Sequence, residues 1–206
     1  MPDFLLEDEI NGIAAGVDEA GRGPWAGPVA AGCAVFLSRD VDARLLENLN
    51  DSKKLSKKKR EMLFDLLQKE AEKGTMKLGI GLASAAEIDE INILNASFLA
   101  MKRAIEKAGV QPTLVLVDGN RVPRDFGWAV KTVIKGDSKS YSIAAASILA
   151  KVYRDRLMEE MARQYPGYGF EKNAGYGTKA HIEGLKKFGV TPEHRRSYAP
   201  VREFLK

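Results

Sequence analysis

The feature that most constrains the fold is a short apolar run that ends in two adjacent carboxylates. Residues 13–17 have the length and composition of a buried strand, and Asp18 and Glu19 follow directly. Charged groups resist leaving water unless an opposite charge neutralises them, and a divalent cation would do so. Consecutive strand residues point to opposite faces, so the two carboxylates share one ion only if the backbone bends there. Gly16 and Gly21 flank the pair and permit such a bend.

Two further apolar runs end near an aspartate. Residues 114–117 lead into Asp118, and a short strand predicted at 130–134 precedes Asp137. Each aspartate alone has a structural explanation, Asp118 as a turn residue and Asp137 as a helix N-cap. Sites form where the strands of an α/β sheet end, so the three strand ends together predict one cluster of carboxylates. Oxygen ligands without histidine or cysteine select Mg²⁺ or Mn²⁺ over zinc.

The remaining patterns predict an α/β fold in which helices pack on a mixed sheet. The second strand should run antiparallel to the first, and the run before Asp118 should be a parallel strand buried on both faces. Helix starts are indicated by Ser56, by Thr178 and by a capping box that Ser84 opens. The other predicted elements are strands at 29–37 and 76–82, a helical stretch at 84–109 and a helix at about 141–164.

The length favours one domain. A chain of 206 residues with 45% hydrophobic content can bury a single core. We expect residues 1–206 to form one catalytic domain, with a core to about residue 165 and a helical extension over about 166–206 packed on it. The net charge of +4 is compatible with a polyanionic partner. Residues 51–60 carry six basic side chains and one acid, which fits a surface that meets phosphates and an ordinary solvated surface equally well.

Cysteine and histidine content indicates the compartment. Cys33 is the single cysteine and lies in an apolar run, so a disulfide framework is impossible and a reducing compartment is favoured. His181 and His194 lack cysteine partners, which argues against zinc. No signal-peptide core and no apolar run of 18 residues is found. We therefore expect a cytoplasmic monomer that does not associate with membranes.

Seven segments, in order along nearly the whole chain, together resemble the type-2 ribonucleases H. They are Gly-Val-Asp-Glu-Ala-Gly-Arg-Gly-Pro at 16–24, Asp-Ser-Lys-Lys-Leu-Ser at 51–56, Val-Asp-Gly-Asn at 117–120, Lys-Gly-Asp-Ser at 135–138, Ser-Ile-Ala-Ala-Ala-Ser-Ile-Leu-Ala-Lys-Val at 142–152, Gly-Tyr-Gly-Thr at 175–178 and His-Arg-Arg-Ser-Tyr-Ala-Pro-Val at 194–201. The resemblance implies the ribonuclease-H-like fold, a mixed five-stranded sheet flanked by helices, here with a C-terminal helical extension.

The resemblance also implies roles for individual residues. Four carboxylates would be the catalytic, metal-binding set: Asp18, Glu19, Asp118 and Asp137. Backbone groups of Gly21, Arg22 and Gly23 would read the 2′-hydroxyl that distinguishes RNA from DNA. Tyr176 would stack on the sugar of the next nucleotide, and phosphate contacts would come from Lys53, Lys139 and Ser140.

The implied activity is that of an endonuclease that hydrolyses the RNA strand of RNA–DNA hybrids. It would also cut DNA on the 5′ side of a single embedded ribonucleotide. Two-metal-ion catalysis with Mg²⁺ or Mn²⁺ would leave 5′-phosphate and 3′-hydroxyl ends. The expected partners are thus RNA–DNA hybrids and DNA that contains ribonucleotides.

Three other readings of the sequence compete with this one. The glycines at 21, 23 and 27 resemble a dinucleotide-binding turn, but Pro24, Pro28 and the strand-like run after them leave no room for the required helix. A non-catalytic nucleic-acid-binding module would account for the basic segments and would not explain four acids at strand ends. A transposase or resolvase would share the metals but would lack the Gly-Arg-Gly segment. A metal-dependent cleavage assay separates these classes.

Overall fold

A mixed five-stranded sheet forms the centre of the protein in the computed structural model, which describes residues 1–121 and 125–205. The strands are β1 (Ala14–Ala20), β2 (Val29–Phe36), β3 (Met76–Ala83), β4 (Leu114–Asp118) and β5 (Val130–Val133). Their spatial order is β3-β2-β1-β4-β5. The first three strands pair antiparallel, and β4 and β5 run parallel to β1. The predicted mixed sheet and the directions of its second and fourth strands are confirmed.

Helices cover both faces of the sheet. They are α1 (Leu5–Asp8), α2 (Ala43–Asn48), α3 (Lys57–Glu72), α4 (Ala85–Ala108), α5 (Tyr141–Gln164), α6 (Phe170–Asn173), α7 (Lys179–Phe188) and α8 (Ala199–Arg202). Side chains of α4 fill one apolar core against the sheet, and α3 and α5 fill the other. The predicted caps at Ser56, Ser84 and Thr178 are confirmed. The predicted helical stretch 84–109 corresponds to α4, which is kinked at Asn92, where φ is +66°.

Helix α5 lies unusually close to the centre of the sheet. A Cβ atom added to Gly16 would lie 2.3 Å from the Ser142 carbonyl carbon, and one added to Gly32 would lie 2.2 Å from the Ala146 oxygen. Only glycine at these two strand positions permits the approach. The 3₁₀ turn Gly136–Ser138 immediately precedes α5, so the close approach brings this turn to the end of β1.

The first strand is longer than predicted. β1 continues through Asp18 and Glu19 to Ala20 in a regular antiparallel register with β2. The bend that the two carboxylates would need in order to share one ion is therefore absent, and the chain turns at Gly21, where φ is +96°. Because consecutive strand residues face opposite sides of the sheet, the side chains of Asp18 and Glu19 leave the strand on opposite faces.

Residues 166–205 hold the loop between β1 and β2 from outside the sheet. The backbone N–H of Trp25 donates to Gly175 O at 2.8 Å, and that of Arg195 donates to Trp25 O at 2.8 Å. The glycine-rich loop leads into β2 and not into a helix, which rules out the dinucleotide-binding alternative. None of the helices in the described ranges is both long and apolar enough to cross a bilayer.

Candidate active site

Three aspartates meet at the edge of the sheet. Asp18 lies near the end of β1, Asp118 ends the neighbouring parallel strand β4, and Asp137 lies in the 3₁₀ turn before α5. One carboxylate oxygen of each lies within 4.8 Å of one from each of the other two. The Gly136 N–H donates to Asp118 Oδ1 at 2.7 Å, which ties the turn to the end of β4. The structure thus brings together three of the four carboxylates predicted as metal ligands.

The cluster is electrostatically unfavourable without a cation. Burial, followed by the negative charges of Glu19 and Asp118, raises the pKa of Asp18 well above its ordinary value. Burial and the neighbouring charges of Asp51 and Asp118 raise the pKa of Asp137 to about 6. Like charges held together out of water favour the protonated form, and a divalent cation with oxygen ligands would replace the protons. The donor set therefore fits Mg²⁺ or Mn²⁺.

Glu19 is the fourth predicted ligand and is not one of the three converging residues. Its Oε1 lies 3.2 Å from Arg22 Nη1. Burial raises the pKa of Glu19, and the Arg22 guanidinium partly opposes that effect. Arg22 thus forms an ion pair with Glu19, and none of the three aspartates has such a pair within the described residues.

A cleft of about 280 Å³ adjoins the cluster and contains most of the predicted substrate-binding residues. Its lining includes Asp18, Glu19, Gly21, Arg22, Gly23, Ser52, Lys53, Lys151, Arg154 and Tyr176. The Tyr176 side chain is half exposed, and its ring lies against Gly23, where an added Cβ would be 3.2 Å from Tyr176 Cε1. An added Cβ at Gly21 would lie 1.9 Å from Arg154 Nε. Glycine is therefore required at Gly21 by both backbone conformation and space.

Two predicted phosphate contacts do not line this cleft. Ser140 is fully buried, and its hydroxyl donates to Glu7 Oε1 at 2.7 Å and accepts from the Ile143 N–H at 3.1 Å. A phosphate cannot reach that hydroxyl, which caps α5, so we drop Ser140 from the predicted phosphate contacts. Lys139 is exposed near Asp137, outside the residues that line the cleft.

The sequence analysis missed several residues that surround the cluster. Asp51 caps the 3₁₀ turn Ser52–Lys54, and its negative charge contributes to the raised pKa of Asp137. Lys151 lines the cleft and pairs with Asp155 at 2.6 Å. Both belong to segments that carry the family resemblance, so the signal was present. Their roles depend on contacts between distant segments, which a local pattern does not report.

The fold and the cluster define the class of protein. The structure is similar to that of ribonuclease H2 from Pyrococcus horikoshii OT3, with a TM-score of 0.73, 30% sequence identity, and coverage of 93% of this chain and 96% of that one. A five-stranded mixed sheet with acidic residues at its strand ends is here the scaffold of a metal-dependent ribonuclease H, a hydrolase of the nuclease type.

Sequence comparisons identify the family. Residues 15–201 match the family model described as Ribonuclease HII. The chain is 51% identical over 205 residues to ribonuclease HII of Paramagnetospirillum magneticum, which covers 100% of this chain and 99% of that protein. It is 54% identical over 194 residues to ribonuclease HII of Shewanella halifaxensis, covering 94% of this chain and 91% of that protein. The chain belongs to the ribonuclease HII family, whose members are endonucleases that act on RNA–DNA hybrids.

Proposed function

We propose that this protein cleaves the RNA strand of RNA–DNA hybrids and also cuts DNA on the 5′ side of a single embedded ribonucleotide. Asp18, Glu19, Asp118 and Asp137 would hold up to two divalent ions, Mg²⁺ or Mn²⁺. Water would attack the phosphorus, the bond from phosphorus to the 3′ oxygen would break, and that oxygen would take up a proton. The products would carry 5′-phosphate and 3′-hydroxyl ends.

The observation that carries this proposal is the convergence of Asp18, Asp118 and Asp137 beside a cleft lined by glycine backbone. Their oxygens lie within 4.8 Å of one another, and the pKa values of Asp18 and Asp137 are raised. Bound divalent ions supply the positive charge that activates water and stabilises the departing oxygen. The chain itself orients the ligands through the bond from Gly136 N–H to Asp118 and through the close packing of α5 on β1.

The loop of residues 21–23 (the 21–23 loop) has the properties of a reader of ribose hydroxyls. It lines the cleft beside Asp18, and two of its residues have no side chain to obstruct the approach of a sugar. The N–H groups of Arg22 and Gly23 have no acceptor among residues 1–121 and 125–205 and are free to donate. A 2′-hydroxyl can accept from such donors, and DNA lacks this group.

Tyr176 would contact the following sugar. Its ring lies against Gly23 and lines the same cleft as Asp18, and half of it is exposed to solvent. An aromatic face packs well against a deoxyribose, and a hydroxyl on that sugar would lose its water in the same contact. This preference would direct cleavage to the junction where RNA is followed by DNA.

Positive charge in and next to the cleft supports a phosphodiester substrate. Lys53 lines the cleft, and its charge lowers the pKa of both Glu19 and Asp137 against the larger effect of burial. Lys54 follows it on the same 3₁₀ turn and is exposed. Lysine side chains in this position would neutralise backbone phosphates.

Cleavage of three matched duplexes tests the proposal. One is all-DNA, one contains a single ribonucleotide, and one has a run of ribonucleotides paired with DNA, each assayed with Mg²⁺, with Mn²⁺ and with a chelator. We expect metal-dependent cleavage of the second and third, with the single ribonucleotide at the 5′ end of the downstream fragment. Cleavage of all-DNA at a similar rate, or cleavage in the presence of the chelator, would refute the proposal.

A further inference from the structure

A buried arginine of the C-terminal extension binds the backbone carbonyl groups of the 21–23 loop. The Arg195 guanidinium donates to Gly21 O at 2.6 Å through Nη2 and to Arg22 O at 2.9 Å through Nη1. The Tyr198 hydroxyl donates to the same Arg22 oxygen at 2.7 Å and accepts from Arg195 at 3.0 Å. Arg195 has no carboxylate within 4.0 Å among the described residues, so its charge acts directly on these carbonyl groups.

This arrangement sets the direction and strength of the loop's free donors. A trans peptide places its C=O and N–H groups on opposite sides. The carbonyls of Gly21 and Arg22 point towards the buried guanidinium, so the N–H groups of Arg22 and Gly23 point away from it. A peptide unit whose carbonyl accepts from a cation is polarised and donates more strongly. Arg195 thus prepares two donors for an oxygen of the substrate.

The preceding residue, His194, holds the segment that carries Tyr176. The Thr191 N–H donates to His194 Nδ1 at 3.0 Å, so the proton of this imidazole lies on Nε2. That Nε2–H donates a hydrogen bond to His181 Nε2 at 3.0 Å, so the proton of His181 lies on its Nδ1. His181 Nδ1 in turn donates to Tyr176 O at 3.0 Å. Burial lowers the pKa of both histidines, which keeps this chain of bonds neutral.

We propose that His194 and Arg195, consecutive in the sequence, form a clamp that fixes the position of the Tyr176 ring relative to the donors of the 21–23 loop. The clamp would make these two residues positioning residues for ribonucleotide specificity. The inference rests on the proposed function, since it assigns to the same cleft the residues that set its geometry. It adds a role for the C-terminal extension that does not involve contact with the reacting atoms.

A graded set of variants tests the arginine half of the clamp. Arg195→Lys removes the fork that reaches both carbonyls, and Tyr198→Phe removes only one of the two donors to Arg22 O. Arg196→Ala is the matched control, because that exposed side chain has no hydrogen bond or ion pair among the described residues. We expect kcat/KM on the single-ribonucleotide duplex to fall about tenfold or more for Arg195→Lys, about threefold for Tyr198→Phe, and to stay unchanged for Arg196→Ala.

His181→Phe tests the histidine half, since it keeps an aromatic ring in place and removes the bond to Tyr176 O. It should lower kcat/KM on the single-ribonucleotide duplex at least about threefold more than on the long hybrid. For every variant, the Mn²⁺ concentration that gives half of the metal-induced rise in melting temperature should match that of the wild type. If these residues had only a structural role, the variants would shift this Mn²⁺ midpoint, and they would lower kcat/KM equally on the single-ribonucleotide duplex and on the long hybrid.

The outcomes separate the clamp from the proposed function. A wild type that does not prefer ribonucleotide substrates refutes the proposed function and the clamp with it. A wild type that prefers them, with folded Arg195→Lys and Tyr198→Phe variants that keep full kcat/KM, refutes the clamp alone. Should Arg195→Lys fail to fold, Tyr198→Phe decides the arginine half. Equal losses on both substrates for His181→Phe would refute the histidine half.

Discussion

Two regions next to the cleft are stabilised in opposite ways. In the first region, Asp18, Asp118 and Asp137 hold like charges close together, and the pKa values of Asp18 and Asp137 are raised. In the second region, Arg195 and the histidine pair His181 and His194 satisfy their hydrogen bonds within the protein. We expect a bound cation to complete the first region. The second is complete before the substrate arrives.

This difference indicates that the two regions have separate functions. A region that lacks counter-charge binds ions tightly, because their binding relieves repulsion. A region whose polar groups are already paired keeps its shape and discriminates among substrates without being remodelled. We expect variants in the two regions to affect cleavage and discrimination separately, and the following predictions test that separation from the largest expected effect to the smallest.

Asp118→Asn should reduce turnover with Mg²⁺ by about a thousandfold or more, because several kcal/mol of charge stabilisation depend on the metal ligands. The amide oxygen can still accept from Gly136 N–H, so the fold should remain. The metal-free variant should melt at the same temperature as the wild type or higher, since one like charge is gone. Turnover and thermal melting in a chelator measure both effects. An active variant would contradict the metal assignment, and an unfolded one would make Asp118 structural.

Tyr176→Ala should reduce cleavage at the junction between RNA and DNA about tenfold more than cleavage inside a long hybrid, because only the junction places a deoxyribose on the ring. Metal binding should not change, since the tyrosine is not one of the converging carboxylate ligands. Single-turnover rates on the two substrates decide the prediction. Equal losses on both would exclude Tyr176 from junction recognition.

Replacement of Lys53 and Lys54 by Ala should weaken duplex binding and flatten its salt dependence. Each lost phosphate contact lowers the log–log slope by about 0.9. The matched control replaces Lys77 and Lys107, which are exposed on β3 and α4 and do not line the cleft, so that the net charge changes equally. Binding measured at several salt concentrations gives the slopes. The same slope for both double variants would make residues 51–60 an ordinary solvated surface.

The contributions of the two regions to stability should also change in opposite directions with pH. Burial lowers the pKa of His194 from 6.5 to about 4. Between these two pH values the unfolded chain binds more protons than the folded protein, so stability falls as pH decreases. The pKa of Asp137 is raised from 3.8 to about 6, so the folded protein binds more protons there and stability falls as pH increases. Without metal, the two effects partly cancel between about pH 4 and 6.

Asp118→Asn should uncouple these effects. It removes one of the charges that raise the pKa values of Asp18 and Asp137, so the effect of these aspartates should weaken relative to that of the histidines. We expect the free energy of unfolding of this variant to fall more steeply on acidification than that of the wild type, by up to about 1 kcal/mol per pH unit. Urea unfolding at pH 7, 6 and 5 with a chelator measures the two slopes. A shallower slope for the variant would contradict the assigned pKa directions.

The sequence predicted the region of like charges better than the clamp. Apolar runs that end in Asp18 and Asp118 are local patterns, and parallel neighbours bring such ends together. Ser140 shows that a position close to a site residue in the sequence does not by itself predict a contact with substrate. It lies three residues after Asp137, but its hydroxyl is used to cap α5. Arg195 lies in a recognised segment, but its partner Gly21 is 174 residues away, and no periodicity reports that contact.

Binding by the inactive Asp118→Asn protein tests the central claim most directly, namely that one region cleaves and the other selects. The measurement is the ratio of the Kd for an all-DNA duplex to the Kd for the same duplex with one ribonucleotide. We predict that this variant keeps a preference of about tenfold or more for the ribonucleotide, and that adding Gly23→Ala, which crowds Tyr176, removes it. Equal affinities in Asp118→Asn alone would contradict the account, because selection would then depend on the carboxylates.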